Sequence, residues 1–274
     1  MIFLSERSLL NRAKEEGVAV GAFNTANLEI TQAIVLAAAE AGQPIIIQTT
    51  PSAIDYAGLE QIFDIVRNEV DEMGIKATLH LDHGKDFGIV KECIDIGYPS
   101  VMIDGSKLDY VGNINLTKKV VSYAKVHNVS VEGELGVISH KEGGGKSGQT
   151  VYTDPNIAED FVQKTGIDSL AVSVGNEHGA PKGEKLDLKL LEEITKSVSV
   201  PLVMHGASGL SRLDIKQAIS LGVTKFNIDT QIKRAFSDAM KSGDKDEIDP
   251  REILEASKDA AKHVVKDYIK LFSE

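Results

Sequence analysis

Three of the seven histidines stand where short apolar runs of the sequence end. His83 follows KATLHLD, His178 follows DSLAVSVGNE and His205 follows VPLVM. Three neutral imidazoles with a vacant fourth position suit a catalytic zinc ion, which accepts tetrahedral coordination and can take a substrate oxygen. The spacing matches no local zinc signature, so the predicted site requires a fold that brings the three run ends together.

Polar residues also end most of the other apolar runs. Asp82 directly precedes His83, and adjacent residues on a regular strand face opposite sides. Both side chains can serve one site only if the chain turns over at His83-Gly84. An aspartate there would either orient a metal ligand or exchange a proton with substrate, and the residues alone leave both roles open. The remaining polar residues at run ends are Asn24, Thr50, Asp104, Glu134, Asn227 and Asp229.

Two glycine-bearing turns predict a phosphate site. His178-Gly179 and the segment 205–209 combine a candidate ligand with backbone flexible enough to present N–H groups to an anion. The segment after 205–209 can begin a helix, whose positive end favours a phosphate. Asn227, Asp229 and Thr230 follow the next apolar run and would complete the pocket.

The elements that must position these residues alternate regularly along the chain. Apolar, β-branched runs are each followed by a stretch with helical spacing, which is typical of βαβ units and a parallel sheet. About eight such units predict a single-domain (β/α)8 barrel over 1–274, whose active site would lie at the carboxyl ends of the strands. The segment 249–272 predicts an amphipathic C-terminal helix that closes the barrel or packs on a partner. The strand candidates are 18–24, 44–50, 76–83, 99–105, 129–136, 168–175, 200–206 and 224–230.

Composition excludes several classes of protein. With 30 basic and 41 acidic residues, the net charge of -11 repels a nucleic-acid backbone, and the chain has no basic run. No apolar run approaches the roughly 20 residues that span a bilayer, so we expect a cytoplasmic protein without a membrane partner. Cys93 is the single cysteine and cannot form an internal disulfide, so we expect a buried thiol.

Eight segments, spread over essentially the whole chain, are informative together: GAFNTANLE (21–29), HLDHG (80–84), VMIDGS (101–106), VEGELG (131–136), HGAPKG (178–183), HGASGL (205–210), FNIDT (226–230) and DPREIL (249–254). In this order they resemble the class II, metal-dependent fructose-bisphosphate and tagatose-bisphosphate aldolases. The resemblance implies a zinc-dependent lyase of carbohydrate metabolism, such as glycolysis. Such an enzyme reversibly cleaves a ketose 1,6-bisphosphate to dihydroxyacetone phosphate and glyceraldehyde 3-phosphate through a metal-stabilised enediolate.

The resemblance also assigns roles to individual residues. It implies that His83, His178 and His205 bind one catalytic Zn²⁺ per subunit. Glu134 would hold a second or alternative metal position, with Asp104 beside it, and the family is compatible with a monovalent cation. Asp82 would protonate the aldehyde oxygen in condensation, and Asn227 would contact the reacting oxygens. Glu142, eight residues beyond Glu134, would handle the ketose proton, which makes the glycine-rich segment 141–149 a loop over the site rather than a plain surface connection.

The remaining implied residues bind substrate. A phosphate would be surrounded by Gly179, Lys182, Gly206, Ser208, Asp229 and Thr230, and we add Asn24 and Thr50 to the substrate site. Arg251 would reach the other phosphate from a neighbouring subunit, so a homodimer or homotetramer is expected. The chain departs from the family around His178, at Glu177 and Pro181, and in the glycines 143–145. These departures leave open whether the substrate is fructose or tagatose bisphosphate or another phosphorylated ketose.

Two rival functions remain. A Schiff-base aldolase on the same barrel needs a lysine inside a strand near substrate, whereas Lys76 and Lys225 lie at predicted strand starts, the wrong end. A non-catalytic sugar-phosphate or zinc-binding barrel would keep the binding residues without turnover. Trapping of substrate on a lysine would favour the first rival, and binding without production of triose phosphate would favour the second.

Overall fold

The computed structural model describes residues 3–138, 150–177, 185–244 and 246–274. Parallel strands close into a barrel in chain order from β1 to β8, and β8 pairs with β1. This confirms the predicted (β/α)8 barrel. The strands are β1 (Val20–Asn24), β2 (Ile45–Thr49), β3 (Ala77–Gly84), β4 (Ser100–Ile103), β5 (Ser130–Leu135), β6 (Ser169–Val172), β7 (Leu202–Met204) and β8 (Val223–Ile228).

Helices follow the strands around the outside of the barrel. The structure has helices at 6–16 and 51–57 that the sequence analysis did not identify, and Gly58, whose φ is 87°, separates the second of them from the helix that follows. The helices are α1 (Glu6–Glu16), α2 (Leu28–Ala41), α3 (Pro51–Ala57), α4 (Leu59–Met73), α5 (Phe87–Ile96), α6 (Tyr110–Val126), α7 (Pro155–Thr165), α8 (Leu188–Ser197), α9 (Arg212–Ser220), α10 (Thr230–Ser242) and α11 (Pro250–Ser273).

The strands are buried on both faces, as a barrel requires. Their outward side chains pack against the helices and form the main apolar core, which contains Leu79 and Leu81 of β3. Residues at alternate positions face inward. On β3, β5 and β8 these inward positions carry ionisable or amide groups, and they build the interior described below.

α1 closes the amino-terminal end of the barrel. Leu9 and Leu10 pack with the inward residues Val20, Ala22 and Ile46 in a separate apolar cluster. α11 packs against α2 and α10 of the same chain. The ring of its Phe272 stacks on Phe226 with centroids 5.1 Å apart. Of the alternatives for the C-terminal segment, packing on the chain's own barrel is therefore the one observed.

Among the described residues, no helix is both long and apolar enough to cross a membrane.

Cys93 lies on α5 with its side chain fully buried. Burial, followed by the negative charge of Glu92, raises the pKa of the thiol to about 12. The reactive thiolate is therefore scarce at about pH 8, where an ordinary cysteine, with a pKa of about 8.5, is partly ionised. We expect native protein to resist a chromogenic disulfide reagent at that pH, whereas denatured protein should release one equivalent of chromophore per chain at once. Equally fast reaction of native protein would contradict this placement.

Candidate active site

A backbone turn at the end of β3 brings two neighbouring side chains into one site. His83 has a φ of 53°, in the left-handed region that a residue with a side chain rarely adopts. The pairing of β3 with β4 shifts register between Leu81 and Gly84. As a result His83 Nε2 lies 3.8 Å from Asp82 Oδ1. The turn-over that the sequence required at His83-Gly84 is therefore present.

The imidazoles of His83 and His205 meet inside the carboxyl end of the barrel. His83 Nε2 and His205 Nδ1 are 3.0 Å apart. The two rings are nearly perpendicular, with an interplanar angle of 88°. Zinc–nitrogen bonds are about 2.0–2.1 Å long, so two ligand nitrogens at this separation can share one ion after a small adjustment. Two of the three predicted metal ligands are therefore adjacent.

Carboxylates complete the surroundings of His83. Asp104 Oδ2 lies 3.3 Å from His83 Nδ1. Glu134 Oε2 lies 4.0 Å from ring nitrogens of both His83 and His205. That oxygen is buried and has no hydrogen-bond partner among the described residues. A buried carboxylate oxygen without a donor is costly, and a cation facing it would remove the cost. The nitrogen and oxygen donors thus fit a divalent metal.

Two groups of this cluster, Glu134 and His83, have strongly raised pKa values. Burial and the negative charge of Asp104 raise the pKa of Glu134 to about 8, although the charge of His83 opposes the rise. Burial disfavours the charged form of His83, but Asp82, Asp104 and Glu134 outweigh it and raise its pKa to about 10. Protons therefore balance the charges here when no cation is present.

Asp82 is held by amide groups from three strands. Asn24 Nδ2 and Gln48 Nε2 donate to Asp82 Oδ2 at 2.8 and 3.3 Å. Asn227 Nδ2 donates to Asp82 Oδ1 at 3.1 Å. Burial opposes ionisation of Asp82, but electrostatic interactions with His83 and His205 and the Asn24 hydrogen bond outweigh it and lower its pKa. Asp82 is thus an oriented carboxylate beside the imidazoles.

Gln48 is one member of this cluster that the sequence analysis did not single out. It is fully buried on β2 and also donates to Asn24 Oδ1 at 2.8 Å. Its signal was an amide inside the otherwise apolar run PIIIQTT. A buried amide requires partners, and the polar ends of the neighbouring runs were the available ones.

The predicted phosphate segments lie at the ends of the paired strands β7 and β8. Gly206, with a φ of 66°, precedes a 3-10 turn at Ala207–Gly209. The Ser208 carbonyl accepts a hydrogen bond from Gln231 Nε2 at 3.0 Å. Asp229 and Thr230 stand at the start of α10, where Asp229 Oδ2 pairs with Lys233 Nζ at 2.7 Å. These segments are therefore joined, and a cavity lined by Ser208, Gly209, Arg212 and Gln231 opens beside them.

Other predicted residues have different surroundings. Thr50 Oγ1 accepts from Ala53 N at 3.2 Å and thereby caps α3, and it also lies 2.9 Å from Ser52 Oγ. Arg251 is 87% exposed and forms an ion pair with Asp249 of its own chain. Its approach to a neighbouring subunit stays a prediction. His178, Gly179, Lys182 and Glu142 lie outside the described residues, as does the segment 141–149.

Lys225 lies two residues into its strand rather than at its start. Lys225 is the third residue of β8, which begins one residue earlier than predicted, and its ammonium lies inside the barrel, 2.7 Å from Glu132 Oε2. Burial disfavours its charge, but Glu132 and Glu6 outweigh that cost and raise its pKa. A Schiff base requires a neutral amine, so the charge of this lysine is a second reason, besides its position on the side of the barrel that faces α1, that it is unsuited to the role.

Comparisons with known proteins agree with this geometry. A family model described as fructose-bisphosphate aldolase class-II matches residues 5–274. A fructose-bisphosphate aldolase from Staphylococcus epidermidis is 40% identical, with 99% of this chain and 98% of the relative covered. The crystal structure of the YdjI aldolase from Escherichia coli K12 is 33% identical, covers 98% of this chain and 97% of its own, and has a TM-score of 0.89. A fructose-bisphosphate aldolase from Campylobacter jejuni, 24% identical with a TM-score of 0.80 and coverage of 98% and 95%, supports the fold alone.

The chain belongs to the class II fructose-bisphosphate aldolase family. The names of the family and of its relative identify an aldolase, a lyase. This family is metal-dependent, in agreement with the donor groups around His83 and His205.

Metal binding provides a direct test of the site. We expect His205→Ala to weaken Zn²⁺ binding by more than the roughly 10–100-fold that loss of an outer-shell partner costs, because it removes a ligand atom itself. Competition with a chromophoric chelator measures the affinity. His127→Ala is the matched control, because His127 is exposed at the end of α6. Unchanged affinity in His205→Ala would contradict the assignment.

Proposed function

We propose that this protein is a Zn²⁺-dependent aldolase that reversibly cleaves a ketose 1,6-bisphosphate to dihydroxyacetone phosphate and glyceraldehyde 3-phosphate. The observation that carries the proposal is the meeting of His83, His205 and the unsatisfied Glu134 oxygen beside the amide-held carboxylate of Asp82. His178 would supply the third imidazole. Glu134, with Asp104, would offer a second or alternative metal position.

The chemical difficulty of the reaction is charge. Breaking the C3–C4 bond leaves an electron pair beside a carbonyl group, and water stabilises it poorly. A divalent cation, when bound, supplies the positive charge that withdraws electron density from that carbonyl. As neutral ligands, His83 and His205 would leave this charge undiminished, whereas thiolates would partly cancel it.

Asp82 would transfer the proton of the hydroxyl group on C4. In cleavage its carboxylate accepts the proton of the C4 hydroxyl, and in condensation it returns that proton to the aldehyde oxygen. The amide donors support this role because they stabilise the ionised form and fix its direction. Asn227 Oδ1 is buried without a hydrogen-bond partner among the described residues, so it can accept from a substrate hydroxyl. Glu142 would exchange the proton of the three-carbon product.

The phosphate groups would fix the reacting carbons in register. Gly206, Ser208 and Thr230 can offer backbone N–H groups where the 3-10 turn and α10 begin. Asp229 would help to shape the pocket while paired with Lys233. Gly179 and Lys182 would add to this pocket, and Asn24 and Thr50 would line the substrate site. Arg251 would reach the second phosphate from a neighbouring copy in a homodimer or homotetramer of the cytoplasm.

The proposed substrates are ketose 1,6-bisphosphates, and the members of this class differ little from one another. Fructose and tagatose 1,6-bisphosphate differ only in the configuration at C4, the carbon whose hydroxyl Asp82 would deprotonate. Discrimination between them therefore requires placement of Asp82 and its neighbours that differs by a fraction of an ångström. A related phosphorylated ketose is the alternative that the changes around His178 leave open.

A cleavage assay on the two epimers, coupled to detection of triose phosphate, tests the proposal. Asp82→Ala should keep its zinc and lose about 10²–10⁴-fold in kcat, because it removes a proton-transfer group but no metal ligand. Asp95→Ala is the control, since it removes an exposed carboxylate of α5. Chelator should abolish turnover of the unaltered protein, and added Zn²⁺ should restore it.

Two results would contradict the proposal. Cleavage that persists in the presence of chelator would exclude a metal-dependent reaction. Zinc and sugar-phosphate binding without triose phosphate, for both epimers, would instead identify a non-catalytic barrel.

A further inference from the structure

Four ionisable side chains fill the barrel interior on the side of the candidate metal site that faces α1. Glu6, His80, Glu132 and Lys225 are each at most 1% exposed. Such burial is costly unless every charge is paired. The proposed reaction uses none of these groups, so their place in the structure requires another explanation.

Glu132 connects this interior cluster to the metal site. Its Oε1 lies 2.8 Å from His205 Nε2, and its Oε2 lies 2.7 Å from Lys225 Nζ. The other ring nitrogen of His205, Nδ1, faces His83. His205 therefore spans the distance between a carboxylate and the candidate metal position.

The contacts of Glu132 decide which nitrogen of His205 carries the proton. An ammonium has only donors, and an ionised carboxylate has only acceptors. Glu132 is ion-paired with Lys225, so His205 Nε2 must donate to Glu132 Oε1. A neutral imidazole carries one proton, which leaves the lone pair of His205 Nδ1 directed at the position of the metal.

Glu6 and His80 hold Lys225 in place. Lys225 Nζ lies 3.3 Å from Glu6 Oε1 and 3.2 Å from His80 Nε2. His80 Nε2 therefore accepts, so its proton is on Nδ1, which lies 2.8 Å from both Glu6 Oε2 and Ser100 Oγ. With acceptors on three sides, the ammonium is fixed under Glu132. The first helix thus contributes, through Glu6, to the orientation of a metal ligand.

We propose that Glu132 is a positioning residue that holds His205 in the tautomer whose Nδ1 can bind the metal, and that Lys225 and Glu6 keep Glu132 acting as an acceptor. This inference rests on the proposed metal site at His83 and His205. It assigns a purpose to a buried ion pair that apolar residues could otherwise replace.

Glu132→Gln tests the inference with almost no change in shape. The amide has one accepting and one donating end, and Lys225 requires the accepting end. The NH₂ group then faces His205 Nε2, so the ring proton must move to Nδ1, the nitrogen that should bind metal. We expect ¹⁵N NMR of the zinc-free protein to show protonated Nε2 in the unaltered chain and protonated Nδ1 in the variant, with the signals assigned by their loss in His205→Ala.

Zinc affinity provides a second readout. A chelator competition should show about 10–100-fold weaker binding in Glu132→Gln, as expected when an outer partner of a ligand is lost. Asp168→Asn is the matched control. It removes a carboxylate that pairs with Arg7 of the same α1 helix but does not touch His205 or Glu132 in any described contact. That variant should lose stability while its tautomer and zinc affinity stay unchanged.

A double variant guards against misfolding of Glu132→Gln. Glu132→Met with Lys225→Met removes both charges of the pair. Glu6 then keeps His80 Nδ1, 2.8 Å from its Oε2, as its partner, so the fold should persist. His205 should then populate both tautomers and bind zinc more weakly than in the unaltered chain. Protonated Nε2 with unchanged zinc affinity, in Glu132→Gln or, if that variant does not fold, in the double variant, would overturn the inference. Failure of the unaltered protein to bind zinc would instead refute the proposed function. The two failures can be told apart, because the tautomer of His205 is measured in the zinc-free protein.

Discussion

Pairing of buried charge is the constraint on which the interior of this barrel depends. Glu132 and Glu134 stand two residues apart on β5 and face the same enclosed space. Glu132 has the Lys225 ammonium as its partner, whereas Glu134 Oε2 has no hydrogen bond from the described residues. One carboxylate is thus neutralised by the chain itself and the other faces two imidazoles. The same requirement for charge balance therefore fixes Glu132 in an ion pair within the barrel and leaves Glu134 to face the candidate cation site.

The second requirement is that neighbouring side chains converge. A regular strand would send Asp82 and His83 to opposite faces, and the left-handed backbone of His83 prevents this. Such a conformation costs about 1–3 kcal/mol, which the surrounding barrel must offset. The pairing of β3 with both of its neighbours and the amide donors on Asp82 hold the strand end in that conformation. The contacts that hold the end of β3 rigid are therefore also the ones that orient Asp82 and His83 in the site.

Much of this arrangement could be predicted from the sequence because the strands end in polar residues. The barrel, the adjacency of His83 and His205, and the turn at His83-Gly84 all followed from that pattern. Glu132 and Lys225 were missed because a strand buried on both faces has no solvent-facing side to reveal which residues point inward. Glu6 could not be placed because its contacts with His80 and Lys225 join segments far apart in the chain. The roles of His178 and Glu142 stay predictions, since both lie outside the described residues.

The contact between Glu6 and Lys225 joins the first helix to the last strand of the barrel. Glu6 is synthesised long before Lys225, so the ion pair between them can form only after β8 has been made. The ion pair requires both α1 and β8 to be in place, so it couples the position of the first helix to closure of the sheet. A half-barrel without β8 would leave Glu6 with His80 as the remaining partner among its described ion pairs.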